Sequence, residues 1–449
     1  MQTQRATDFT KGNIVGNIVA FSLPIVLGEL MQNLYNSVDA IVVGNLVSKN
    51  ALAAVTVSGV IANMMIMFFG GMSVGVNVVI SRAYGQNDPE LLRGKIRIAF
   101  TFSLLLGTAF SALGILFTPK LLRLAGTQSV YYADALVYLR IYLAGLMFTV
   151  IYNNGAGILR AVGDSRTPFR ILVIACCGNI ALDVFFVSVV RLGIAGVALA
   201  TVFSQGLSTV LVYRAIGRAR QMHCIALREL YEHGKDTVSD ILKIGMAAGI
   251  QSALIGFSNI FVTRYMNLFD PAAVAGIGVA QRLDRFVILP AKSFGITMTT
   301  YISQNIGAQR FERAREGKRK CLLTALIVTV FLSVVVYLFA ERCVALFNSD
   351  PAVVSVGIAM MHVIAPMFWL MAVREIYLGI LRGYGKSFMP MVLSLFGMIV
   401  VRQAYLAATM RVSDPAIEHL YYCYPIAWAA TTGLLICYYL LCKKDMRGL

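Results

Sequence analysis

Glu29, Gln32, Asn36 and Asp39 fall within one apolar stretch, FSLPIVLGELMQNLYNSVDAIVVG, at spacings of three, four and three residues. Those spacings set all four side chains on one face of a helix. Farther along, CCGNIALDVFFV places Asn179 and Asp183 four apart, again on one face, and Thr201 follows in the next apolar stretch. Two carboxylates with amide and hydroxyl oxygens make a hard-oxygen set suited to Na⁺ or to a shared proton. A plainer reading stands beside this one. Gln32 and Asn36 also fit a polar stripe at a helix interface, and Asp183 equally suits a cap or buttress near the outer end of its helix. The first helix has no Lys or Arg to pair with Glu29 and Asp39, which favours chemistry there.

The elements that hold these groups are membrane helices. Hydrophobic residues make up 58% of the 449, charged residues 14%, and the mean hydropathy is +0.74. A soluble domain of this length needs far more polar surface. IRIAFTFSLLLGTAFSALGILF (96–117) and CLLTALIVTVFLSVVVYLF (321–339) are each long enough to cross a hydrocarbon core of about 30 Å. Periodicity and apolar length predict twelve spans, near 14–38, 51–80, 96–118, 131–157, 169–190, 194–213, 241–264, 272–301, 321–346, 353–379, 388–409 and 417–442. The first apolar stretch reads as a membrane helix, since no small-residue cleavage site follows it.

A net charge of +17 suggests nucleic acid until its distribution is read. Lys and Arg gather between spans on one side, chiefly at Arg214, Arg218, Arg220, Arg228 and Lys235, and again from Arg310 to Lys320. This is the positive-inside pattern, and it predicts two cytoplasmic termini with no role for nucleic acid. The eight Cys and four His residues show no metal-ligand spacing.

The chain also repeats itself. GILRAVGDSRTP (157–168) returns as GILRGYGKSFMP (379–390), and ISRAYGQ (80–86) returns as ISQNIGA (302–308) at the same offset. The expected organisation is a six-helix lobe over 1–213, a polar cytoplasmic linker over 214–240 and a second six-helix lobe over 241–449. Six spans per half make the repeats parallel, an arrangement found in carriers whose halves move about a site near mid-membrane. Gly163 and Gly385 are expected to permit tight turns, with Pro168 and Pro390 in the first turn of the next helix. Arg160 and Arg382 suit a helix C-terminus or lipid phosphates. The stretch RGYGKS is not a phosphate-binding loop, because Ile380 stands where that motif needs glycine.

The halves differ in chemistry. Phe261 and Tyr405 stand at the positions matching Asp39 and Asp183. The second half instead holds Gln251, the run Gln281–Asp284–Arg285, Lys292 and the pair Arg374–Glu375, where ion pairing is the expected role of the acids. A charge at mid-bilayer costs roughly 2.5–3.5 kcal/mol on insertion scales, so each of these groups needs a purpose.

With LPIVLGELMQNLYNSVDAIVVG, LRAVGDSRTP, NIALDVFF and LRGYGKSFMP in this order, the chain resembles the multidrug and toxic compound extrusion (MATE) family over nearly its whole length, its first half being closest to the DinF-like branch. The resemblance implies an all-α, polytopic, V-shaped membrane protein of two pseudo-symmetric six-helix bundles. It implies a monomeric antiporter in a prokaryotic plasma membrane that exports amphipathic organic cations against Na⁺ or H⁺. Carried over by residue, the coupling site is Asp39, Asn179, Asp183 and Thr201, and Pro24 is the bending point of the first helix. The cavity set comprises Glu29, Gln32, Tyr35, Asn36, Asn153, Gln251 and Glu375, with Glu29 extra to the family pattern. The carboxylates that the NorM-like branch carries in its seventh and tenth helices fall on neutral positions here, around Gln251 and Met371. A lipid-linked sugar or other lipid flippase of the same superfamily is the alternative. An enzyme is not expected, because the sequence has neither Asp-rich prenyl phosphate motifs nor His–Glu metal ligands. No organic cofactor is implied.

Overall fold

Three aspartate–proline pairs start three of the helices. Asp88 accepts from the amides of Glu90 and Leu91 at 3.0 and 3.1 Å, Asp270 from Ala273 at 2.7 Å, and Asp350 from Ala352 at 2.9 Å. In each case the carboxylate satisfies amides that have no helical partner, and the following proline occupies the one place where its missing N–H is harmless. The computed structural model describes residues 6–46, 49–220, 223–410 and 416–443, with the side chains of 34–42, 45–46, 49–50 and 219–220 outside the described set.

The described chain is all-helical, with no strand. In order its helices are α1 (Ile14–Leu46), α2 (Lys49–Gly85), α3 (Pro89–Leu124), α4 (Ser129–Ala144), α5 (Leu146–Ala161), α6 (Arg166–Val184), α7 (Gly193–Arg220) and α8 (Leu227–Met266). Then follow α9 (Pro271–Gly307), α10 (Phe311–Leu338), α11 (Ala340–Ala345), α12 (Pro351–Ile364), α13 (Phe368–Gly383), α14 (Phe388–Leu395), α15 (Arg402–Thr409) and α16 (Glu418–Cys442). Single π-helical turns, Phe185–Val189 and Phe396–Val401, follow α6 and α14.

Among the described residues, ten helical segments are long and apolar enough to cross a membrane, and α4 with α5, bent by 42° at Gly145, makes an eleventh. The remaining expected span coincides with α9, which is 37 residues long but carries Arg282, Asp284, Arg285 and Lys292 in its middle. The polar residues after Arg214 continue α7 to Arg220, and α8 begins at Leu227. Between them Cys224 is buried, and burial holds its thiol up at about 11 despite the nearby Arg97.

The chain divides into two compact units. One comprises Met1–Thr7 and Leu27–Gly249, the other Asp8–Val26 and Ile250–Leu449. Each buries its own apolar clusters. In the first unit, Phe69, Leu139, Leu143, Val150 and Val197 pack together. In the second, Met360, Met361, Phe368, Tyr421 and Trp428 do so.

The sequence repeat is a repeat of bonds. Ser81 donates to the carbonyl of Ala161 at 3.3 Å, and Ser303 to that of Gly383 at 3.2 Å, with both partners displaced by the offset of the repeat. The turns behind these helices also coincide. The amides of Gly163 and Asp164 bond the carbonyls of Arg160 and Leu159, both at 2.9 Å. Those of Gly385 and Lys386 bond Arg382 and Leu381, at 2.7 and 2.9 Å. Gly163 and Gly385 have φ of 89° and 76°, a left-handed conformation that closes the helix end and favours glycine. Backbone contact repeats too. A Cβ on Gly157 would lie 3.0 Å from the Ser73 carbonyl, and one on Gly379 would lie 2.3 Å from that of Gly295. Small residues therefore let α5 close on α2 and α13 close on α9, as membrane helices without a hydrophobic drive between them require.

Candidate ion-coupling and substrate site

In the first unit, α6 turns Pro168, Ile171, Ala175, Asn179 and Asp183 inward along one face. Asn179 and Asp183 are completely shielded from solvent. Asp183 lies in the last turn of regular helix, directly before the π-helical turn. Thr201, on the adjacent α7, is also buried and donates to the carbonyl of Val197 at 3.1 Å. The expected pairing of Asn179 with Asp183 on one buried face is thus present, with α7 packed beside it. Asp39, Asn36 and Tyr35 lie in α1, but their side chains are outside the described residues.

Glu29 and Gln32 are half-buried on α1. The Glu29 carboxylate acts electrostatically on the Tyr152 hydroxyl and the Arg160 guanidinium of α5. Arg160, expected at a helix C-terminus or near lipid phosphates, stands in the last turn of α5 and also feels the Glu29 carboxylate. Tyr152 also donates to the Pro168 carbonyl at 3.2 Å. Asn153 is half-buried and donates back to Thr149 in its own helix at 2.9 Å. Its neighbour Asn154 is fully buried and donates to Ser103 at 2.8 Å. Pro24 lies within α1, which runs unbroken in secondary structure from Ile14 to Leu46. The boundary between the units comes between Val26 and Leu27, less than one turn past Pro24.

The second unit is built around cations. Arg374 and Glu375, neighbours on α13, form an ion pair with both side chains nearly buried. Arg382 and Lys292 also act on Glu375, and Asp284 faces Arg285 and Arg374. Gln251 is buried and accepts from Arg382 at 3.0 Å. Gln281 donates to the Tyr424 hydroxyl at 2.7 Å.

Arg402 escaped the sequence reading. It is 1% exposed, gives hydrogen bonds to Asn259 Oδ1 at 3.0 Å and to Ser258 Oγ, and lies 5.9 Å from the centre of the Tyr424 ring. Among the described residues it forms no ion pair. Its surroundings are counterparts of the first unit's site: at the offset of the repeat Ser258 matches Asn36, Val401 matches Asn179, Tyr405 matches Asp183 and Cys423 matches Thr201. The available signal was a lone arginine inside an apolar run, FGMIVVRQAYLA.

The described residues hold no group of three or more His, Cys, Asp or Glu able to bind a metal ion. The second unit thus places a fixed guanidinium among residues matching those where the first unit concentrates oxygen atoms.

Two stretches of the chain, 24–185 and 247–405, each match the MatE family model, and together they take in most of its length. The chain belongs to the MatE family. The double match reproduces the internal repeat, one copy per half. Among curated relatives of this MatE chain, the probable multidrug resistance protein YpnP of Bacillus subtilis (strain 168) is 30% identical over 404 residues, covering 90% of each protein. The probable multidrug resistance protein YoeA of the same organism is 28% identical over 439 residues, covering 96% of this chain and 94% of that one. In structure, the chain superposes on an outward-facing conformation of a multidrug resistance MATE family transporter of the MOP superfamily. The TM-score is 0.86 at 22% identity, covering 100% of this chain and 99% of the other. This MatE chain is a multi-pass membrane protein of a multidrug efflux transporter family.

Proposed function

We propose that the chain is a secondary active antiporter that exports amphipathic organic cations in exchange for Na⁺ or H⁺ by alternating access. The observation that carries this reading is the burial of Asp183 together with Asn179 and Thr201 in one unit. An ionisable side chain buried within a membrane helix is costly and marks an ion or substrate pathway by default. Asp39 from α1 completes the coupling set, and bending at Pro24 links its occupancy to the substrate cavity. The cavity set is Glu29, Gln32, Tyr35, Asn36 and Asn153 in the first unit, with Gln251 and Glu375 in the second. The working form is a monomer in a prokaryotic plasma membrane with both termini in the cytoplasm.

The test is counterflow of a labelled organic cation such as ethidium in proteoliposomes with imposed Na⁺ or pH gradients. Gradient-driven movement that disappears in Asp39→Asn and Asp183→Asn, both still folded and inserted, is the expected result. Wild-type coupling in both variants would reduce these aspartates to packing residues. Flipping of lipid-linked sugars without movement of ethidium would replace the antiporter by a flippase.

A further inference from the structure

At the basic end of the second unit lies a cavity of about 780 Å³, between the start of α10 and the last turns of α13 and α16. Arg310, Arg313, Arg315, Lys318 and Lys443 line it, against a single carboxylate, Glu312. Arg315 already holds Glu312, at 2.9 and 3.1 Å. Arg310 donates to the Thr10 carbonyl at 2.5 Å, and Arg313 to those of Phe9, Lys11 and Gly12 at 2.7–2.8 Å. Carbonyls satisfy these N–H groups without cancelling their charge. Lys318 donates to the Tyr439 hydroxyl at 3.0 Å and stands 4.5 Å over the same ring. Neither Lys318 nor Lys443 forms an ion pair among the described residues. Among the described residues, the cavity lining therefore carries an excess of positive charge.

Its depth identifies the source of the anion. The apolar run of α10 begins at Cys321, one turn beyond Lys318, while α13 ends at Gly383 and α16 at Cys442. The cavity is thus level with the surface of the hydrocarbon, where Tyr384 and Tyr439 present rings with polar tips and Ile302 and Ile380 supply an apolar wall. A soluble phosphate would meet the same cations but gain nothing from that wall. We propose that this cavity holds the phosphate headgroup of an anionic phospholipid of the adjacent leaflet, with Lys318 and Lys443 as its principal donors. Its volume is in the range of ligand sites, and basic pockets between membrane helices suit such headgroups.

The test uses the full chain, purified and delipidated in detergent, with cardiolipin titrated in and bound lipid counted by native mass spectrometry. Wild type should retain one cardiolipin that phosphatidylcholine does not replace and millimolar inorganic phosphate does not displace. The double variant Lys318→Gln/Lys443→Gln should lose at least about tenfold in affinity, and Lys95→Gln, a cation outside the cavity, should not. The two single variants, each with its melting temperature checked in phosphatidylcholine, should show intermediate losses. Unchanged cardiolipin retention in the folded double variant would overturn the proposal. Displacement by inorganic phosphate would overturn it too, turning the site into one for a soluble phosphate.

Discussion

Arg382 donates to Gln251 at 3.0 Å, and their counterparts in the first half of the repeat, Arg160 and Glu29, face each other as well. The same pair of positions interacts in both halves, once with an acid and once with its neutral isostere. The second copy demonstrates that an amide is tolerated opposite the arginine. Glu29→Gln should therefore insert and melt close to wild type. Arg160→Met removes a cation with a buried Nε beside the half-buried Glu29 and should lower the melting temperature more than Glu29→Gln does. Thermal unfolding of the purified variants ranks the two, and equal losses would mean that Glu29 and Arg160 do not depend on each other.

The proposed coupling role falls on Asp39, whereas Glu375 is held by cations of its own unit. Arg374 holds it as an ion pair, and Arg382 and Lys292 share its charge. Glu375→Gln removes the anion from three cations and should cost about 3 kcal/mol of stability. Efflux per folded molecule should stay above half of wild type, whereas Asp39→Asn should have none. Ethidium efflux normalised to folded protein is the measurement, and equal loss in the two variants would place a second coupling site in the second unit.

Ser81 and Ser303 each tie a long helix to the end of a repeated motif, and both are fully buried. Alanine at either removes one buried hydrogen bond, a cost of about 1 kcal/mol. Because the bonds lie in different units, the losses should add in the double variant. Melting curves of the four proteins check this, and strong non-additivity would mean that the two bonds share a common element.

Gly163 combines a φ of 89° with a Thr7 carbonyl 2.1 Å from where a Cβ would stand. Gly126 has a φ of 68° and open space around it. Gly126→Ala should cost only the left-handed penalty of about 1–2 kcal/mol. Gly163→Ala must also displace the N-terminal segment and should lose most of its folded yield on size-exclusion chromatography. Equal yields would show that the Thr7 contact is dispensable.

Much of the architecture was legible because membrane helices advertise their length and composition, and because a duplicated chain repeats residue types at one offset. The turns at Gly163 and Gly385 follow from local geometry, whereas the bonds of Ser81 and Ser303 reach carbonyls 80 residues away. The partner of Arg160 was not legible. Its acid lies on another helix, far away in the chain, and periodicity says which face a residue occupies but not which helix meets that face. Arg402 was missed for a related reason. A lone cation in an apolar run looks like an exception until Asn259 and Ser258 arrive from α8 to hold it. The α9 span was legible at 272–301 from its apolar length, although Arg282, Asp284, Arg285 and Lys292 make its middle polar.

Arg402 has one further consequence. An ion that arrives from solution occupies its place in proportion to its concentration, and it leaves when the concentration falls. A guanidinium attached by its own side chain has an occupancy of one at any salt or pH in the working range. The region around Arg402 is therefore deaf to the gradient. In the antiport proposed above, whatever reads the ion must therefore do so elsewhere, and two similar halves of one chain serve as a detector and a reference.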